Sequence, residues 1–397
     1  MLKRWYQRVD LLLILSVAGL LAMGLVALYS SSHSISNSAN TTNYFKYQLM
    51  WILVGTAILG VIYFLPNKLI YDFAYVVYIL SIILLIAVLF FGSTGSGAQR
   101  WLRLGPIRFQ PSEFAKIAVL LAVARYLSKP RLDINRFRPF AIASLIFLLP
   151  FILIVRQPDM GTSIAFLALV LPVYFWAGLE SGKLFLLVAP FIVLIASFNF
   201  YFFVAIMLIL LIYLYLSHRP FLNSILIFAI NIFVGLSTPF LWNHLQEYQQ
   251  RRIKIFINPE ADPLGAGYQI IQSKVAIGSG GLLGKGFLHG SQTQLRFLPE
   301  QHTDFIFAVI GEEFGFLGAI IGLTLFAILL ISIIYIASLQ KSRFNGIVTI
   351  GIAALIGFHM LVNVGMTVGL FPVTGLPLPF ISYGGSSLIT AMTAVGL

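Results

Sequence analysis

Apolar runs as long as a bilayer is thick recur along nearly all of this 397-residue chain, and no water-soluble core can absorb so many of them. A helix rises about 1.5 Å per residue, so about 20 apolar residues cross the roughly 30 Å hydrocarbon layer. Candidate spans fall at 11–30, 47–65, 69–91, 112–128, 139–156, 160–178, 184–200, 201–217, 221–241, 305–337, 346–371 and 378–397. Charged residues make up 10% of the chain, against about 25% in soluble domains. The expected fold is all-α: a polytopic transmembrane bundle of about 10–12 helices, read as one membrane domain over 1–397 with a large extracytoplasmic loop at 241–304. Within 184–241, one helix or three would leave the sidedness of the rest unchanged. The first run, 11–28, follows Lys3, Arg4 and Arg8 but exceeds a signal-peptide core and precedes no small-x-small cleavage site. It reads as a retained helix.

Charge sets the orientation. The chain carries 25 Lys and Arg against 13 Asp and Glu, a net charge of +12, and no cysteine. Disulfides and thiolate metal sites are therefore excluded, and with no soluble basic domain a nucleic-acid partner is not expected. Lys3, Arg4 and Arg8, then Lys68, the 129–138 loop, Lys183, His218–Arg219, Lys341 and Arg343 fall on one side, which the positive-inside rule makes the cytoplasm. Two outside segments break the rule: 92–111, with Arg100, Arg103 and Arg108, and 241–304, with Arg251, Arg252, Lys254, Lys274, Lys285 and Arg296. Long loops translocate regardless of charge, which excuses the second and not the first. An anionic ligand at the outer surface accounts for both.

Ionisable groups inside the membrane are costly and so informative. Pro111 suits the first turn of a helix and Ser112 is a candidate cap. Glu113 and Lys116, three apart on one helical face, can pair; they fit either a packing ion pair or, with Arg108 nearby, an anion site. Arg156 and Asp159 read as an interface salt bridge. Asp262 precedes a proline, which favours extended backbone, and Gly265 and Gly267 let the chain turn behind it. A turn-capping aspartate and a general base are both open there. Gly278 to Gly286 superficially suggests a phosphate loop, but Ser279 stands where Walker A needs its first Gly, and Gly286 where it needs Ser or Thr. A mobile or closely packed surface segment is the better reading. Glu300, His302 and Asp304 match no standard zinc spacing and read as hydrogen-bonding groups that tie the loop down. Glu312 and Glu313, further into the span, require partners.

Several ordered motifs together resemble the SEDS family of bacterial cell-wall proteins, its RodA branch above the others. They are Gly97-Ala98-Gln99-Arg100-Trp101-Leu102, Arg108-Phe109-Gln110-Pro111-Ser112-Glu113, Asp262-Pro263-Leu264-Gly265-Ala266-Gly267-Tyr268, and the run from Ile271-Gln272-Ser273-Lys274 to Gly281. Phe297-Leu298-Pro299-Glu300 with His302-Thr303-Asp304-Phe305, and Pro377-Leu378-Pro379-Phe380-Ile381-Ser382-Tyr383-Gly384-Gly385-Ser386-Ser387, complete the set. The resemblance covers nearly the whole chain. Two departures stand out: 184–241 holds an extra helical pair, and the sequence ends at Leu397 without the family's basic tail, which leaves the last helix short or the chain truncated.

The resemblance implies a peptidoglycan glycosyltransferase in the bacterial cytoplasmic (inner) membrane, N-terminus cytoplasmic, that polymerises lipid II into β-1,4 glycan strands during cell elongation. It implies undecaprenyl diphosphate as leaving group, and as partners lipid II, the growing glycan strand, a class B penicillin-binding transpeptidase and the membrane proteins of the elongation complex. Asp262 takes the place of the family's essential carboxylate, Glu113 and Lys116 of its polar membrane pair, and Arg100 and Arg108 of its anion-side arginines; Lys274 joins them as a substrate-binding candidate. A good leaving group needs no strong acid, only charge neutralisation by Arg, Lys or a divalent cation such as Mg or Mn, with no metal ligand assigned. A lipid II flippase and a non-catalytic scaffold for a transpeptidase are the competing readings.

Overall fold

A computed structural model describes residues 10–33, 44–95, 98–104, 107–217, 220–245, 247–262 and 265–397. The chain divides into two compact units, 1–177 with 255–397, and 178–254.

The larger unit opens with α1 (Leu11–Ser32), α2 (Tyr44–Phe64) and α3 (Asn67–Phe91). Three short strands follow, β1 (Ser93–Gly95), β2 (Ala98–Leu104) and β3 (Ile107–Phe109), then α4 (Pro111–Leu127), α5 (Phe137–Val155) and α6 (Met160–Trp176). After the smaller unit come a 3-10 turn, Pro259–Ala261, and the helices α11 (Ala266–Gly280), α12 (Ser291–Gln294), α13 (Ile306–Leu339), α14 (Arg343–Thr367) and α15 (Gly385–Gly396). The smaller unit contains α7 (Ser181–Ala196), α8 (Phe200–Leu216) and α9 (Phe221–His244), and α10 (Glu247–Ile257) runs across the boundary. Among the described residues, seven helices are long and apolar enough to cross a membrane, and α6, α7 and α8 are shorter apolar helices. The all-α membrane bundle expected from the apolar runs is what forms. Large apolar side chains such as Leu11, Leu53, Ile83, Phe90 and Leu145 face outward, as lipid contact requires and water would not tolerate.

α4 is the central helix of the larger unit. Every residue in it except Phe114 and Arg125 is buried, and α3, α5, α6, α14 and α15 all pack on it. α1 lies along α13, and α2 against α15. In the smaller unit α7, α8 and α9 pack on one another around Ala189, Val193, Met207, Leu210 and Leu214.

Several local details go beyond or differ from what the sequence leads us to expect. The 92–111 segment is an antiparallel three-stranded sheet in the order β1-β2-β3, with Ser93 opposite Trp101 and Leu102 opposite Phe109. Glycines at 95, 97 and 105 flank the central strand in the sequence, as short hairpins favour. The 241–304 stretch is largely helical. Ser112 caps nothing: Gln110 is the N-cap of α4, and the buried Ser112 hydroxyl has no hydrogen-bond partner. The 346–371 and 378–397 spans are shorter as helices, because Gly369 takes φ +80° just past α14 and a proline-rich stretch runs to Gly384.

The two adjacent glutamates find their partners at a break in α13. Gly315 adopts φ 63° inside that helix, which leaves amides and carbonyls on either side without helical partners. The 281–286 segment supplies them: Lys285 and Gly286 donate to the carbonyls of Glu312 and Glu313 at 3.0 Å each, and Phe316 and Leu317 donate back to Gly281 and Leu282 at 2.9 and 3.1 Å. This strap is the glycine-rich stretch that imitates a phosphate loop, and glycine is needed because a Cβ at 280 or 284 would strike the backbone of α13. The Glu312 carboxylate, fully buried, accepts from Lys285 Nζ at 2.9 Å, the amides of Gln292 and Thr293 at 2.9 and 3.0 Å, and the Thr293 hydroxyl at 2.8 Å. Glu313 accepts from the Ser30 hydroxyl on α1. Removing one partner of a buried charge network costs about 3–5 kcal/mol. Glu312→Ala should therefore lower the thermal unfolding midpoint of the purified protein well below that of Glu312→Gln; equal midpoints would contradict the role given to this carboxylate.

Candidate functional site

Polar side chains converge where α4 begins, α6 begins and α14 ends. Pro111 occupies the first helical position of α4, where its missing N–H costs nothing. The Gln110 side chain reaches across to Asp159 Oδ2 at 3.2 Å instead of capping its own helix. Asp159 caps α6 through the Thr162 amide and hydroxyl, at 3.3 and 2.9 Å. Its cationic partner is Arg100 of β2, 3.7 Å away; Arg156 is exposed, so the pairing expected from the sequence is replaced by one from a distant segment. Arg100 also donates to the Pro158 carbonyl at 3.4 Å, while its buried Nε has no partner.

Within the first two turns of α4, Lys116 Nζ lies 2.7 Å from Glu113 Oε1, with side-chain exposures of 1% and 5%. The same ammonium lies 3.0 Å from His359 Nε2 on α14. An ammonium only donates, so Nε2 accepts, and the ring proton sits on Nδ1, 3.3 Å from the Pro377 carbonyl. Two of the three Lys116 donors are thus used. One turn further along α14, Asn363 donates to the carbonyls of Asp304 and Leu376 at 3.0 and 2.8 Å. The Ser382 hydroxyl donates to the Thr303 carbonyl at 2.6 Å, the Tyr383 amide to the His302 carbonyl at 3.0 Å, and Gln48 to the Ser382 carbonyl at 3.2 Å. The stretch between α14 and α15 is therefore held at many points.

The Glu300–Asp304 stretch serves that tethering. His302 stacks on Tyr44 with ring centroids 4.0 Å apart. Burial holds its imidazole below the usual value; Glu300 opposes that shift and Arg296 adds to it. Among the described residues no group of three or more His, Asp or Glu side chains is arranged to hold a metal ion.

Asp262 closes the 3-10 turn, its carbonyl accepting from the amides of Gly265 and Gly267 at 3.3 and 3.1 Å. Its carboxylate rests directly on Gly265, where a Cβ would come within 2.5 Å of Oδ1. A side chain at 267 would lie 2.7 Å from the Asp262 carbonyl. Both glycines thus make room for the aspartate. α11 starts at Ala266 and carries Lys274 eight residues on, about 12 Å of rise. The Ser273 hydroxyl donates to the Thr367 carbonyl at 2.7 Å, and the Lys274 side chain crosses Gly369 so closely that a Cβ there would fall 2.6 Å from Nζ. α11 is pinned in this way to the end of α14.

Of the residues singled out from the sequence, Arg100, Glu113 and Lys116 gather around the start of α4, and Asp262 and Lys274 border and ride on α11. The Arg108 backbone pairs with Arg103 across β2 and β3, and its side chain lies outside the described residues. Sequence reasoning missed His359 and Asn363. The signal was available, since His359 is an ionisable group within an apolar run and Asn363 follows on the same helical face.

A family model described as a cell cycle protein of the FtsW/RodA/SpoVE type matches residues 10–206 and 198–397. The chain belongs to the FtsW/RodA/SpoVE family. It is 39% identical to the peptidoglycan glycosyltransferase MrdB of Escherichia coli K12, over 95% of this chain and 90% of that protein. It is 34% identical to the peptidoglycan glycosyltransferase RodA of Treponema pallidum, over 98% and 96%. Among solved structures it resembles a chain of a peptidoglycan synthase complex that coordinates polymerization and crosslinking, with a TM-score of 0.72, 31% identity, and coverage of 98% and 96%. RodA of Thermus thermophilus matches with a TM-score of 0.65 and 27% identity, over 99% and 96%. The likeness inferred from the motifs is a family membership.

In a family member built around a buried ion pair, the pair has to be lost together. Lys116→Met strands the Glu113 carboxyl in the core and should cost about 3–5 kcal/mol of stability. Adding Glu113→Gln should recover most of it, and unfolding of the purified single and double variants in detergent reads the difference. Additive losses would show that the two side chains do not depend on each other.

Proposed function

We infer that this chain is a peptidoglycan glycosyltransferase that polymerises lipid II into β-1,4 glycan strands at the outer face of the bacterial cytoplasmic membrane. The activity is the one named for relatives that match it over almost their full length. The observation that carries the reading is a pair of cations with unspent donors, Arg100 at Nε and Lys116 with its third N–H. A buried donor without a partner is costly. A diphosphate entering that end supplies the acceptors.

The reaction is a single displacement. The acceptor sugar hydroxyl attacks the anomeric carbon of the donor, its oxygen forms the new glycosidic bond, and Asp262 takes the proton. The bond from the anomeric carbon to the diphosphate breaks on the opposite face, and undecaprenyl diphosphate leaves with the electron pair. This corresponds to the base half of an inverting glycosidase and turns an α-linked donor into a β-linked product. Arg100, Arg108, Lys116 and Lys274 neutralise charge as it develops on the leaving group.

The N-terminus is assigned to the cytoplasm and the 241–304 segment to the outer side, from the loop charges. On that assignment the buried charged side chains, Glu113, Lys116, Asp159, Glu312 and Glu313 among the described residues, fall toward the outer ends of their helices. Surface chemistry needs that distribution, whereas a transport path would need polar groups reaching the other leaflet. A class B penicillin-binding transpeptidase is the proposed partner, in keeping with the likeness to a chain of a synthase complex.

Asp262→Asn keeps the size of the side chain and removes the base, so glycan synthesis from lipid II by the purified protein should fall about 100-fold or more. The Glu113→Gln/Lys116→Met protein should fold and lose roughly 100-fold in rate. A folded Asp262→Asn protein working at the wild-type rate would exclude the aspartate as base.

A further inference from the structure

We infer that His359 is a positioning residue for the Lys116 ammonium. This rests on the reading above in which Lys116 serves the donor diphosphate.

Lysine has a flexible four-carbon stem, and an ion pair with Glu113 on its own helix leaves the ammonium free to rotate about it. The contact with His359 removes that freedom. With Glu113 Oε1 at 2.7 Å and His359 Nε2 at 3.0 Å, two directions of a tetrahedral group are set, and the third N–H can point only one way. His359 is itself held, buried to 3% exposure and bonded at Nδ1 to the Pro377 carbonyl. Pro377 belongs to the segment that Asn363, Gln48 and Ser382 fasten to the rest of the unit. One imidazole thus joins the α4 ion pair to the tethered segment between α14 and α15. Its two nitrogens have separable jobs, Nδ1 facing Pro377 and Nε2 facing Lys116.

Two substitutions separate these jobs. Glutamine reaches about as far as Nε2 and retains an acceptor for Lys116. Asparagine reaches about as far as Nδ1 and retains a donor for Pro377, but falls short of the ammonium. If His359 acts through Lys116, His359→Asn should lower kcat about tenfold or more with the KM for lipid II changed by less than about twofold, the pattern of an interaction made in the transition state. His359→Gln should rescue most of that loss, to within about threefold of wild type. A residue that only anchors the Pro377 segment would give the reverse order, and an Asn variant at the wild-type rate, or a Gln variant as slow as the Asn one, overturns the inference. The Glu113→Gln/Lys116→Met background tells the two readings apart. If that protein polymerises normally, the role of Lys116 falls. If it is impaired and His359→Asn still imposes its full separate loss there, Lys116 is sound and the positioning role of His359 is wrong.

Discussion

One ammonium ties together two helices at the centre of the larger unit. Lys116 is exposed by only 1%, in a helix surrounded by apolar neighbours, and moving such a charge out of water costs several kcal/mol before any partner is counted. Glu113 three residues away offsets the charge, but one carboxylate oxygen satisfies only one of three donors. The second acceptor has to come from another helix. His359 provides it, so the crossing of α4 and α14 is constrained by chemistry as well as packing. A central helix whose residues are nearly all buried can carry a charged pair only if its neighbours are built around that pair.

The same logic explains which features could be foreseen. The apolar runs mark the helices because hydrocarbon admits no unsatisfied backbone, and Glu113 with Lys116 stands out because the two are close in sequence. His359 is 243 residues from Lys116 and Arg100 is 59 residues from Asp159. No local pattern reports pairs at that range, so the nearby Arg156 looked like the natural partner for Asp159. The hairpin strands at 93–109 are short, and Gln99-Arg100-Trp101-Leu102-Arg103-Leu104 does not alternate, so no strand period marks them. Ser112 shows the limit from the other side: serine is a good capping residue, but here Gln110 already fills the N-cap and Ser112 falls inside the helix.

Glycine has a different meaning at each of two places. At 265 the space of a missing side chain is occupied by the Asp262 carboxylate, so the residue matters for what lies against it. At 315 the backbone takes φ 63°, a conformation that side chains disfavour, and the helix is broken. The sequence marks Gly265 as a turn residue behind Asp262, but gives no sign that Gly315 breaks a helix or that a carboxylate lies against Gly265.

The break at Gly315 also bears on the aspartate. A broken transmembrane helix survives only where its freed backbone groups are paired inside the protein, and the 281–286 strap pairs them. That strap is the direct continuation of α11, which packs along α13 and is bonded to α14 through Ser273. Asp262 stands four residues before α11 begins. Its position therefore depends on a helix fixed at its far end by the strap and the Glu312 network, and midway by Ser273. A carboxylate in a turn would otherwise sample many orientations; joining that turn to a helix secured at two points limits them, which is the support that the role proposed for Asp262 as proton acceptor needs.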